Sequence, residues 1–251
     1  MPFWKLVLEY DGTEFAGWQV QPSERTVQGE LKEALETVLR HPVRVTGAGR
    51  TDAGVHALGQ VVSLESPEDV AAARRSLNGV LPDDVVVREA VAAPDGFHAR
   101  YDAVRRHYRY RLHRGATAVH RRFAWEVRPE PDPEAMRAAA VRLTGHRDFA
   151  SLASGTEPDE TTECRLERVE VRERGAFLDV EVTANRFLRK MVRTMVGTLL
   201  EVGWGKQPPE WIDEVLAGRD RRLAGPVIPP TGLFLSGVEY PGDDPATEGN
   251  P

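Results

Sequence analysis

The stretch VRVTGAGRTDAGVHALGQVVSL, residues 43–64, reads as two strands joined by a shaped loop. Val43 to Thr46 and Gln60 to Leu64 are the strand-like flanks, and the loop between them carries Gly47, Gly49 and Gly54. Glycine tolerates positive φ and lets backbone or ligand come close, so these three predict a tight loop that fixes Asp52 in space. Arg50, two residues earlier, is predicted to favour the ionised carboxylate through its charge. A charged, acceptor-only carboxylate held in this way is a candidate nucleophile or general base. Two blander readings compete. A phosphate cradle would end in GK[ST], which is missing here, and a structural turn would use the Arg–Asp pair to little effect.

Working outward, 5–10 alternates as a strand, and residues 27–40 form an amphipathic helix with Thr26 as N-cap. Residues 70–77 read as a short helix, and Val85 to Val87 as a strand after the Leu81-Pro82-Asp83-Asp84 turn. The second half opens on 106–113, where basic and aromatic residues alternate along a strand. A helix over 133–143 follows, with Pro133 in its first turn. The segments 166–171 and 177–182 form a hairpin around Arg174-Gly175. A helix over 187–202 and a strand over 233–238 complete the order. The layout predicts an α+β fold of two tandem RRM-like or ferredoxin-like halves. Each half is an antiparallel-rich mixed sheet backed by helices. The halves fall at 1–102, carrying the Asp52 loop, and 103–240, carrying a basic strand and helix. An acidic flexible tail occupies 241–251.

The chain has 251 residues, 41% of them hydrophobic, enough to bury a sizeable core. No apolar run approaches the roughly 20 residues of a membrane span, and the N-terminus enters a strand pattern without the apolar core of a signal peptide. Cys164 is the single cysteine, which excludes an internal disulfide and fits a cytoplasmic setting. Nothing is spaced as a zinc site.

The formal net charge of −6 argues against a nucleic-acid partner, but its distribution argues back. Between Phe97 and Arg122, eight arginines face one acid, Asp102. Phosphate binding follows local potential rather than the sum over the chain. Arginine also outnumbers lysine 29 to 4, and its planar fork suits phosphates and bases.

The string GRTDAGVHA, with GA before it and Gly59-Gln60-Val61-Val62 after it, resembles the catalytic motif of the TruA family of tRNA pseudouridine synthases. Further matches run almost end to end: Tyr10-Asp11-Gly12, Gly17-Trp18-Gln19, Thr26-Val27-Gln28, Phe97-His98-Ala99-Arg100 and Tyr108-Arg109-Tyr110. Asn185-Arg186-Phe187, Met191-Val192-Arg193 and Gly232-Leu233-Phe234-Leu235 complete them. The resemblance implies isomerisation of uridine to pseudouridine in the anticodon stem–loop of tRNA, at positions 38–40. It implies a homodimer on one tRNA, two halves around a cleft, and Asp52 as nucleophile. The reaction breaks the N1–C1′ bond, turns the base and rejoins it through C5, with no redox step, so no cofactor and no metal is expected.

Tyr108 and Tyr110 share one face of their strand, so both are eligible to stack on an extruded base. The resemblance selects Tyr108 as a substrate-binding residue and leaves Tyr110 to the core. Arg186, Arg189, Lys190 and Arg193 share a helix face, ordinarily a solvated one; the resemblance pairs Arg193 with Asp52. Arg50 is a further substrate-binding candidate, in contact with phosphate. RNA-contact candidates are His98, Arg100, Arg105, Arg106, Arg109 and Arg189. His56 is read as a structural hydrogen-bond residue before a general acid or base, and Trp18 as structural. A non-catalytic RNA binder of the RRM type would carry an RNP string, which this chain lacks. A metal-dependent nuclease would want clustered acids, where the loop holds one.

Overall fold

The strand Phe3–Tyr10 (β1) alternates half-buried and buried positions, and its inward residues Trp4, Leu6, Leu8 and Tyr10 lie under two helices. The computed structural model describes residues 1–155 and 161–243 of the chain. The helix Val27–Leu39 (α1) starts where the Thr26 hydroxyl accepts the Gly29 N–H and stops at Arg40, in the left-handed region. Its apolar stripe of Val27, Leu31, Ala34, Leu35 and Leu39 is buried. Val45–Gly47 (β2), His56–Glu65 (β3), Val70–Val80 (α2) and Val85–Ala93 (β4) follow. Their sheet order is β4-β1-β3-β2, with every neighbouring pair antiparallel.

The second run comprises Arg105–Arg114 (β5), Trp125–Val127 (β6), Pro133–Leu143 (α3) and Gly145–Asp148 (β7). Glu163–Arg174 (β8), Phe177–Ala184 (β9), Met191–Gly203 (α4), Trp211–Gly218 (α5) and Leu233–Glu239 (β10) complete it. Its order is β10-β5-β9-β8-β7, again antiparallel throughout, with β6 parallel to β5. The ten strands of the described residues thus form one sheet, mostly antiparallel, accompanied by five helices. The α+β expectation holds at that level.

The two runs join along one edge of β3. Its start pairs in parallel with β10 through Phe234–His56 and Leu235–Ala57, and its end pairs with β2 through Gly47–Val62. Because β1 occupies the other edge, β2 and β10 share this one and leave a gap between them. The β2–β3 connection, residues 48–55, starts beside Val61 and passes Trp18 and Pro230 on its way to β3. The cores interlock there: Val55 is buried in the second core and Leu235 in the first.

Several expectations need correction. β3 begins at His56, so the end of the motif is strand, and β4 runs to Ala93 rather than stopping at Val87. α4 begins at Met191, not at 187, because Lys190 adopts a left-handed φ of 61°. Leu188 is buried, Phe187 packs on Tyr108, and the Arg189 carbonyl accepts the Ser154 N–H. Tertiary anchoring therefore overrides helical periodicity, and Arg186, Arg189 and Lys190 precede the helix instead of sharing its face. α5, β6 and β7 were not read from the sequence. Of the acidic tail, residues 244–251 lie outside the described residues, as do 156–160. No helix among the described residues is long and apolar enough to cross a membrane.

Candidate active site

The loop that carries Asp52 is fastened at nearly every residue. The Ala48 N–H donates to Val61 at 2.8 Å, and the Thr51 carbonyl accepts the Trp18 N–H at 3.0 Å. Buried Gln60 donates to the Gly49 carbonyl at 2.8 Å. The Thr51 hydroxyl pairs with the buried Tyr10 hydroxyl at 2.8 Å, and burial pushes that phenol up to about 12. Two of the three glycines are required by contact or conformation. A Cβ on Gly47 would meet the Trp18 indole at 2.7 Å, and Gly54 has a φ of +76°. Gly49 faces open space.

Asp52 keeps 32% of its side chain exposed, in a cleft of about 1110 Å³. Its cation comes from the far half. Arg193, in the first turn of α4, places Nη1 at 3.2 Å from Asp52 Oδ2 and donates from Nε to the Ile228 carbonyl at 2.7 Å. The expectation that Arg50 would be the neighbouring charge is corrected: Arg50 lines the same cleft but makes no ion pair with Asp52. Sequence proximity cannot see a partner delivered by the joining of two runs of strands into one sheet.

Tyr108 reaches the cleft from β5, its ring edge-on to Phe187 with centroids 4.9 Å apart. Burial raises its phenol well above the ordinary value, and the charges of Tyr10 and Asp52 add to the rise. It is therefore a protonated hydroxyl at neutral pH. Tyr110, two residues on, has no exposed surface and donates to the Pro229 carbonyl at 2.7 Å. The core reading of Tyr110 stands.

The cleft gathers Arg50, Arg100, Arg106, Arg186, Arg189, Lys190 and Arg193 around Asp52, its one acid among the described lining residues. Its volume lies above the ~300–1,000 Å³ range of small-molecule pockets, and its lining suits a polyanion.

The basic stretch around β5 divides between two faces. Arg106 and Tyr108 turn toward the cleft, while Arg105, Arg109 and Arg111 turn to the opposite face of the sheet. Arg105 is paired there with Glu167 at 2.6 Å and Glu239 at 3.0 Å, Arg109 lies 5.4 Å over the Phe234 ring, and Arg111 binds Asp179. Arg105 and Arg109 are thus not brought to the site. Arg106 lines the cleft, but its guanidinium donates to four carbonyls, those of Ala48, Arg100, Ala103 and Asn185. It ties the Asp52 loop to the other half instead of offering free donors.

His98 turns its ring onto Tyr101 and accepts N–H bonds from Arg100 and Tyr101. His56 is 1% exposed, accepts the Gly12 N–H at Nδ1 and donates from Nε2 to the Thr231 carbonyl, each at 3.1 Å. Burial lowers its pKa, so it is a neutral structural residue. Tyr10 and Gln60 are the supporting residues the sequence reading left without a role. Both stood inside quoted matches, and only their burial beside the loop reveals what they do.

A family model described as tRNA pseudouridine synthase matches residues 6–102 and 139–241. Asp52 falls in the first matched segment, Arg193 in the second and Tyr108 between them. A relative from Alcanivorax borkumensis named tRNA pseudouridine synthase A is 46% identical, covering 94% of this chain and 90% of its own. One of the same name from Geobacter sulfurreducens is 44% identical over 94% of this chain and 98% of its own. Another, from Moorella thermoacetica, is 43% identical over 96% of this chain and 100% of its own. With matched segments carrying both members of the Asp52–Arg193 pair, and such likeness along nearly its whole length, this chain belongs to the tRNA pseudouridine synthase family.

Proposed function

We propose that Asp52 is the nucleophile with which this chain isomerises uridine to pseudouridine in the anticodon stem–loop of tRNA, at positions 38–40. The observation that carries the reading is the Asp52–Arg193 pair, open to a cleft whose other charges, among the described residues, are positive. Arginine and lysine around the rim bind phosphates, and the target base is drawn from its stack to reach the carboxylate.

The carboxylate attacks the ribose or the uracil, or removes a ribose proton; each route breaks the N1–C1′ bond. The freed base turns and bonds to C1′ through C5. The C5 proton then leaves and N1 gains one, so atoms and electrons balance with no outside reactant. Arg193 orients the Asp52 carboxylate through a charge-assisted hydrogen bond. Tyr108 packs on the base, and its hydroxyl offers a relay for the C5 proton, accepting it as its own passes on to solvent.

We read each half, 1–102 and 103–240, as one split βαβ module of the RRM or ferredoxin type. The two strand orders, β4-β1-β3-β2 and β10-β5-β9-β8, support that division. We further propose that the enzyme acts as a homodimer in the cytoplasm, where tRNA is its partner. Incubation of unmodified tRNA transcript with the purified protein, followed by mapping of pseudouridine, tests the reading. Conversion confined to positions 38–40 is the expected result; no conversion, or conversion elsewhere, overturns it.

A further inference from the structure

We infer that Tyr101 is a stacking platform for a second nucleobase of the RNA, one that flanks the extruded uridine. This rests on the reading of the cleft as an RNA site and adds a subsite to it. Tyr101 lines the same cleft as Asp52, yet 75% of its surface is exposed. A large aromatic exposed at the mouth of a polar, arginine-lined cleft offers a ring face to whatever the cleft binds.

The ring is held ready for a ligand. His98 stacks on it with centroids 4.3 Å apart and planes at 29°. His98 is itself locked: its Nδ1 accepts the N–H groups of Arg100 and Tyr101 at 3.2 Å, and its own N–H donates to Asp102 at 2.8 Å. Beneath the turn, Ala99 is buried, donating to the Ser63 hydroxyl at 3.1 Å and accepting from the Tyr240 hydroxyl at 2.7 Å. The turn is also registered to the nucleophile. Arg106 donates to the Arg100 carbonyl at 2.6 Å and to the Ala48 carbonyl, in the Asp52 loop, at 3.1 Å.

A braced ring with an open surface matches the π-face of a nucleobase, which every base presents whatever its sequence. A phosphate would be served by the neighbouring cations instead, and Arg100 stands with its guanidinium carbon 5.7 Å from the ring centroid. His98 thus acts through Tyr101, as a brace, where the sequence reading had it touching RNA.

The test compares Tyr101→Ala, Tyr101→Phe and Tyr101→Trp with the wild-type chain, using unmodified tRNA. Dissociation constants and single-turnover rates at saturating enzyme are measured together. Tyr101→Ala is expected to weaken binding by roughly 5- to 150-fold, the range for loss of one stacked base. The single-turnover rate is read beside it, so that lost binding and lost chemistry are told apart. Tyr101→Phe binds as wild type, and Tyr101→Trp adds an indole emission that RNA quenches and an abasic oligonucleotide does not. Unchanged affinity in Tyr101→Ala, or an added indole signal indifferent to RNA, overturns the platform. Wild-type protein that binds tRNA without converting uridine overturns the proposed function alone, since the binding comparison is still read. Wild-type protein that binds no tRNA overturns both.

Discussion

The guanidinium of Arg193 and the carboxylate of Asp52 meet at 3.2 Å although 141 residues separate them. One comes from the first turn of a helix, the other from a loop between strands of the opposite half, and the Ile228 carbonyl fixes the arginine from behind. The site therefore exists only where the two halves are joined.

Replacing Arg193 by alanine removes a charge-assisted hydrogen bond worth roughly 1.5–3 kcal/mol. Because Asp52 is one-third exposed, the loss belongs at the lower end, about 10- to 30-fold in single-turnover rate. Arg193→Lys keeps the charge but cannot serve Asp52 and Ile228 together, so its rate falls between the two. A full-rate Arg193→Ala would remove the pair from the mechanism.

Tyr108 and Tyr110 separate by function. Tyr108→Phe keeps the ring and loses the hydroxyl, so the reaction stalls after the glycosidic bond has broken, and a trapped adduct accumulates. Tyr108→Ala loses stacking as well, a further ~1–3 kcal/mol. Tyr110→Phe loses only its bond to Pro229 and lowers the melting temperature with the rate intact. Reversed behaviour of the two tyrosines, read in folded variants by rate and melting curve, would place the wrong one in the cleft.

RNA affinity falls as salt rises, and the slope comes from the cleft cations. Arg189→Ala and Lys190→Ala each reduce the slope of log affinity against log salt by about one. Arg105→Ala leaves it unchanged, since that guanidinium lies on the far face between Glu167 and Glu239. Equal effects at all three positions would mean that RNA wraps both faces of the sheet.

His56 gives the fold an acid-side limit. Burial holds it below its ordinary value of 6.5, with the Asp11 carboxylate opposing that shift and Arg122 close to Asp11. The unfolded chain takes a proton near 6.5 that the folded chain refuses. Stability is thus complete above about pH 6.5 and declines as the pH falls toward the folded value. His56→Gln lowers the melting temperature at every pH but flattens its decline below about pH 6.5. Parallel wild-type and variant curves would contradict this.

The order of elements was legible because periodicity and caps are local. Thr26 as N-cap, the stripe along α1 and the turn at Gly175 all appear where spacing puts them. The arrangement of the site was legible only in part. Asp52 stood out by its loop, but period-two alternation along β5 assigns Arg105 and Arg109 to the face away from Tyr108, and an arginine count cannot register faces. The start of α4 was misread because Phe187 and Leu188 are anchored by distant residues of their own half, among them Tyr108. Arg106 was read as an RNA contact for its charge, whereas four backbone carbonyls claim its donors. In each case the deciding partner is distant in sequence.

The central claim is that one carboxylate performs the chemistry while other residues hold the RNA. Asp52→Asn keeps the shape of the side chain and removes its charge. With tRNA labelled by tritium at uridine C5, wild-type protein releases the label in a single turnover. Asp52→Asn is predicted to release none while binding the same tRNA within a few-fold of wild type. Measurable tritium release by Asp52→Asn would contradict the account.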